Sequence, residues 1–197
     1  MPTNYKKEWM EKSSIEYFSL FISLWLACNS WYEYHYSDKP RNDRSFINEI
    51  KMDTTGRNHL YAKFADLIDM DGKEGISFRT NIELLHYALE RAILKPTNID
   101  LLSFQKAVID YSNINITENL IVKPKFKKDG SLYSEDERRV IKLDRIYITN
   151  DKSLFFSGLF EIIYQVRNML VHGMLNPGKD EHNVVKYCYL ILWDLMA

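Results

Sequence analysis

Residues 153–172 read SLFFSGLFEIIYQVRNMLVH, and their spacing decides the fold. At about 100° per residue, Phe155, Phe156, Leu159, Phe160, Ile162, Ile163, Val166, Met169, Leu170 and Val171 fall into one broad apolar sector of a helix. Asp151 or Ser153 is placed to cap its start, and Gly173, Asn176, Pro177 and Gly178 break the chain after it. A sector this wide needs more than one neighbouring helix. It predicts a bundle, with the same helix near the two-fold axis of a homodimer.

The remaining chain supplies the neighbours. Ile15 to Tyr36 is the most apolar stretch, with Ser13 or Ser14 as a cap. Glu16, Asn29 and Glu33, with a stripe of Ser19, Ser23 and Ser30, argue against a membrane span and for a central buried helix. Further helices are expected over Asn42 to Met52, between Pro40 and Gly56, over Arg57 to Met70, ahead of Asp71-Gly72, and over Ser77 to Leu94, ended by Lys95-Pro96. Asp100 to Tyr111 adds another and Asp180 to the terminus the last. Because Leu190 to Ala197 are still apolar and periodic, that end either docks in the core or continues into a longer protein. Between Asn113 and Asn150 β-branched and aromatic residues take over and Asp129-Gly130 marks a turn, so an irregular or β-hairpin insertion is expected there. There is no internal repeat.

Composition fits one mainly α domain over residues 1–197, with 46% hydrophobic and 27% charged residues and only seven Gly and five Pro. Twenty-six basic against 27 acidic side chains exclude a global positive field, so any nucleic-acid contact must come from a local patch. Cys28 and Cys188 both lie in apolar runs without metal-ligand spacing and read as reduced core thiols. The N-terminal run from Met1 to Lys7 leads into an apolar stretch too long for a signal peptide, which points to the cytoplasm. Gly-rich phosphate loops, His-Glu-x-x-His, paired Cys motifs and Gly-x-Ser-x-Gly are all missing, and the sequence implies neither a metal nor a cofactor.

What chemistry there is gathers at the end of the long helix. Arg167 falls inside the apolar sector, between Phe156 and Phe160, where its charge must be paired or must reach a cleft or an interface. Glu161, Gln165, Asn168 and His172 occupy the opposite, polar sector, with Asn168 and His172 one turn apart. Arg167 and His172 are about 140° apart, so the Arg side chain must curl to meet the imidazole. Two readings stay open on spacing alone. Either Arg167 pairs with a core acid and His172 sits at a helix end favoured by the dipole, or the two act together.

The string Val166-Arg167-Asn168-Met169-Leu170-Val171-His172-Gly173 resembles the signature of HEPN domains, in which an Arg followed by a polar residue precedes a His that closes a helix. Leu24 to Tyr32 is similar to the aromatic-rich first helix of several HEPN subfamilies. The resemblance covers these two helices and does not extend to Asp71 to Asn150. It implies a helical bundle that pairs with itself, joining two Arg-His motifs in one cleft, and in many members metal-independent cleavage of RNA. A toxin or phage-defence effector restrained by an inhibitory protein partner is the corresponding role. A non-catalytic helical dimerisation or interaction module is the alternative.

The residue types suit that chemistry. His172 can take the proton of a ribose 2′-hydroxyl or return one to the leaving 5′-oxygen. Arg167 presents a permanently charged fork to phosphate oxygens, and Asn168 would orient the His or the phosphate. Asn29 and Glu33, one turn apart on the first helix, are placed where a bundle neighbour could touch Arg167. The basic run of Lys123, Lys125, Phe126, Lys127 and Lys128 is a candidate RNA contact, with Phe126 to stack a base, and equally a solvated loop. His35, His59, His86 and His182 are scattered and receive no role.

Overall fold

In the computed structural model, which describes residues 16–37 and 42–197, seven α-helices and five short strands follow one another. The helices are α1 (Tyr17–His35), α2 (Asp43–Met52), α3 (His59–Asp69), α4 (Lys73–Ala92), the single turn α5 (Ser134–Glu137), α6 (Lys152–Val171) and α7 (Lys179–Met196). The strands are β1 (Ala107–Val108), β2 (Thr117–Glu118), β3 (Ile121–Val122), β4 (Val140–Lys142) and β5 (Tyr147–Thr149). The fold is therefore mainly α with a small antiparallel insertion, as the sequence predicts.

Helix starts follow local side-chain chemistry. Asn42 accepts the amide of Ser45 at 2.9 Å to open α2, Asn58 accepts Leu60 and Tyr61 to open α3, and Asp151 accepts Leu154 at 2.9 Å to open α6. The Glu16 carboxylate caps α1 by accepting from Phe18 at 2.6 Å and Ser19 at 3.2 Å. The expected caps Ser13 and Ser14 lie outside the described residues.

The central helix is α6. It packs against α1, α2, α3, α7, β1 and β5, and every residue from Phe155 to Val166 is buried. Phe155 stacks between Phe64 of α3, at 6.1 Å, and Phe104, at 5.5 Å. Elements of the same chain thus cover this apolar sector as far as Met169, while Leu170 is partly exposed and Val171 is 52% exposed at its C-terminal end. Among the described residues α6 alone is long and apolar enough to cross a membrane, and 72% of that window is buried inside the fold.

Two expectations are corrected here. Helix α1 is peripheral rather than central: it buries the single stripe Phe21, Trp25, Cys28 and Tyr32, while Leu26 is 62% and Tyr34 86% exposed. Its apolar residues outnumber its core contacts. The second concerns Asp100 to Tyr111, which is not helical. Leu102 donates to the Leu94 carbonyl at 2.8 Å, Phe104 accepts from Leu120 at 2.8 Å, and Ser103 Oγ accepts the amide of Lys106, so neighbouring chain takes up the groups a helix would pair internally. Only β1 and a 3₁₀ turn at Tyr111–Asn113 are regular there.

The insertion forms a β1-β2 pair and a sheet of order β3-β5-β4. Its tip turns at Asp129-Gly130, with Gly130 at φ +82° and Lys127 donating to Ser131 at 2.7 Å. It docks on α6 at Gly158, where an added Cβ would lie 2.4 Å from Leu120 Cδ1 and 3.1 Å from Ala107 Cβ. Gly158→Val should therefore lower stability by about 1–3 kcal/mol through overpacking. The change should appear as a lower urea midpoint at unchanged slope; a wild-type midpoint would mean that the insertion shifts freely.

Candidate functional site

From its middle to its C-terminal end, α6 carries two neighbouring polar systems, one sealed and one open. The sealed one centres on Glu161, only 1% exposed. Arg44 of α2 binds its carboxylate in a two-pronged pair at 2.7 and 2.9 Å, Lys51 Nζ donates at 2.7 Å, and Gln165 Nε2 donates at 2.7 Å. Burial pushes the Glu161 carboxyl upward, but the bonds and charges of Arg44 and Lys51 outweigh it and hold the group below its ordinary range. Burial lowers the Lys51 ammonium, which Glu161 offsets in part.

Glu161 and Gln165 are thus not on an exposed polar sector, as their helical phase suggests. Two cations from α2, 117 and 110 residues before Glu161 and in no local pattern with it, bring the countercharge that lets them be buried. The Arg44 guanidinium is also held between aromatic rings, 3.8 Å from the Tyr111 centroid and 4.4 Å from that of Tyr164.

The open system surrounds Arg167, whose side chain is 21% exposed. Its Nη1 donates to Asp43 Oδ2 at 3.0 Å and to Asn168 Oδ1 at 2.9 Å, and its guanidinium lies 5.5 Å from the Trp25 ring. The partner acid, Asp43, stands in the first turn of α2, where the helix dipole favours a carboxylate, and is itself partly exposed. Arg167 Nε is buried without an acceptor.

Tyr32 donates to Asp43 Oδ1, with Asn29 Oδ1 as a second acceptor, and Asn29 in turn donates to Glu33 at 3.0 Å. Burial and then the bond to Asp43 raise the Tyr32 hydroxyl, which stays protonated as donor. Asn29 therefore reaches Arg167 through Tyr32 and Asp43, and Glu33 is one link further out. Asp43 and Tyr32 were missed in the sequence; an acid at the first position of α2 looks like ordinary capping chemistry.

His172 is reached by a turn that the sequence does show. It ends α6, and Gly173 at φ +67° reverses the chain so that Gly173 donates to Leu170 at 3.2 Å and Met174 to Met169 at 2.7 Å. The exposed His172 stands just ahead of this left-handed glycine closure, five residues after Arg167. Both line one cavity of about 340 Å³, with Asp43, Asn168, Tyr111 and Tyr164 among its walls. Asn168 serves Arg167 rather than His172, and its side chain also hydrogen-bonds the Tyr164 hydroxyl.

Lys123, Lys125, Phe126, Lys127 and Lys128 are exposed on the insertion and line no part of this cavity. Their sheet docks on α6 near Gly158, about 20 Å along the helix from His172 at 1.5 Å per residue. They and the Arg167 cavity are separate places on the molecule. Among the described residues no three His, Cys, Asp or Glu side chains are grouped as metal ligands. The chain matches no protein-family model, no curated protein and no solved structure.

Glu161→Ala should cost about 3–5 kcal/mol, because it leaves Arg44 and Lys51 without their shared acid. The stabilisation from Glu161 is full above its ordinary value of 4.5 and is lost as the pH falls through its lower folded value. Denaturant midpoints followed from pH 6 to pH 3 should accordingly fall more steeply for wild type than for Glu161→Gln. Parallel curves would show that the buried carboxylate adds nothing to acid sensitivity.

Proposed function

We propose that the Arg167 cavity cleaves RNA by the HEPN-type reaction, without a metal ion. The observation that carries this reading is the convergence of Arg167 and His172, 140° apart on an ideal helix, on one open cavity. A scissile phosphate placed there would meet the partly exposed guanidinium and the imidazole together. His172 takes the proton of the 2′-hydroxyl, the 2′-oxygen attacks phosphorus, and the 5′-oxygen leaves with a proton from a second imidazole or from water. The product carries a 2′,3′-cyclic phosphate. In this reading Asp43 and Asn168 hold the guanidinium in place, with Tyr32 and Asn29 behind Asp43.

A second His172 from a paired chain would allow separate base and acid. Val171 and Met174, both half-exposed beside His172, offer apolar surface for that pairing at the site itself. The role of an effector held by an inhibitory partner belongs to the same reading. The competing reading, an interaction module without catalysis, draws on the Arg167–Asp43 ion pair, which already satisfies much of the Arg charge within the chain.

His172→Ala and Arg167→Ala should each lower cleavage of single-stranded RNA by about a hundred- to ten-thousandfold while preserving the melting temperature. Wild-type activity should persist in a chelator, and a DNA strand of the same sequence should stay intact. RNA left whole by wild type, or cleavage equal in both variants, favours the interaction module. Light scattering at micromolar concentration reads the pairing: a strictly monomeric mass would remove the second imidazole from the scheme.

A further inference from the structure

Two cations and three rings form one column of contacts beside the cavity. Arg167 lies 5.5 Å from the Trp25 ring, Trp25 is 5.8 Å from Tyr164, Tyr164 is 4.4 Å from Arg44, and Arg44 is 3.8 Å from Tyr111. The inner members are fixed by bonds that have nothing to do with a ligand. Arg44 is gripped by the buried Glu161 carboxylate, and Trp25 is 1% exposed. The column ends on Tyr111.

That terminal ring is partly exposed and lines the same cavity as Arg167 and His172. Arg44 covers one of its faces, and the ring is part of the cavity wall. Its backbone is equally set: Tyr111 opens a 3₁₀ turn that Asp110 caps by accepting the Ser112 amide at 2.9 Å. A ring held from behind by a fixed cation loses little freedom when something stacks on its front. Pro96 and Met174 add apolar surface to the same walls. An anion-binding guanidinium and an aromatic plane in one cavity of about 340 Å³, the low end of ligand-sized clefts, match a single nucleotide: phosphate at one, base on the other.

We propose that Tyr111 is the stacking platform for the nucleobase adjoining the phosphate held at Arg167, a specificity-determining contact supplied by the chain segment between α4 and α6. This rests on the RNA reading of the cavity and adds to it the part of the substrate that is gripped. Stacking needs a π face and no hydrogen-bond code, so the contact selects for the presence of a base, with purines favoured by their larger rings.

The test compares adenosine 5′-monophosphate with ribose 5-phosphate, which share a phosphate and differ by the base, titrated into the full chain and followed by calorimetry or NMR. Wild type should prefer the nucleotide by about five- to a hundredfold, the factor that stacking of one base supplies. Tyr111→Leu should bring the ratio close to one, Tyr111→Phe should keep it, and Tyr111→Trp should keep or raise it. The Trp variant keeps the test decisive even if Tyr111→Leu does not fold. Equal binding of the two ligands by wild type, failure of both to bind at millimolar concentration, a Leu variant with the wild-type ratio, or a Trp variant with a lower one each overturns the proposal. A wild-type preference lost only in Tyr111→Leu, in a protein that leaves RNA whole, sustains the platform and retires the nuclease reading.

Discussion

A single buried carboxylate organises this molecule. Glu161 lies in the middle of α6, where every residue from Phe155 to Val166 is buried and an isolated charge would cost far more than the whole fold is worth. It is tolerated because α2 delivers Arg44 and Lys51 to it and Gln165 completes its hydrogen bonds. That requirement fixes how α2 lies against α6, and α2 in turn carries Asp43 to Arg167. The same Arg44 orients Tyr111 and Tyr164. Docking of two helices, placement of the site's guanidinium and shape of the cavity wall therefore depend on one charge-balanced contact.

Much of the fold is legible in the sequence because local chemistry decides it. Asn42, Asn58 and Asp151 are capping residues at the positions where α2, α3 and α6 begin, and Gly173 is the residue a left-handed helix end requires. The Asp129-Gly130 turn belongs to the same class. What periodicity does not convey is which apolar helix becomes central. Helix α1 has the higher apolar content over its length, yet α6 is surrounded, because the insertion and α2 have side chains shaped to cover it at Gly158 and Glu161. The 100–111 segment is lost for a related reason: its backbone pairs with residues distant in sequence, a non-local choice that local spacing does not record.

The site divides along the same line. Arg167, Asn168 and His172 stand in a contiguous string and are found by reading it. Asp43, Tyr32, Arg44 and Tyr111 come from three other segments, and each looks locally like something else: a first-turn acid, a core aromatic, a surface cation, a loop tyrosine. Helical phase assigns Glu161 and Gln165 to a wet face since it counts only the helix that bears them. Long-range ion pairing inverts that assignment, and only three-dimensional proximity to α2 reveals it.

The glycine closure of α6 has a mechanical meaning for the two principal side chains. Arg167 is mounted on the rigid part of the helix, braced from behind by the core, and shares its coordinates with everything packed around it. His172 stands at the helix end: its amide still donates to Asn168 at 3.0 Å, and just beyond it the bonds of residues 173 and 174 turn the chain into the link 173–178 that leads to α7. The cavity thus has one wall set among core neighbours and one at the helix rim, and the chain leaves that rim directly for α7, whose buried face runs along α1 and α4.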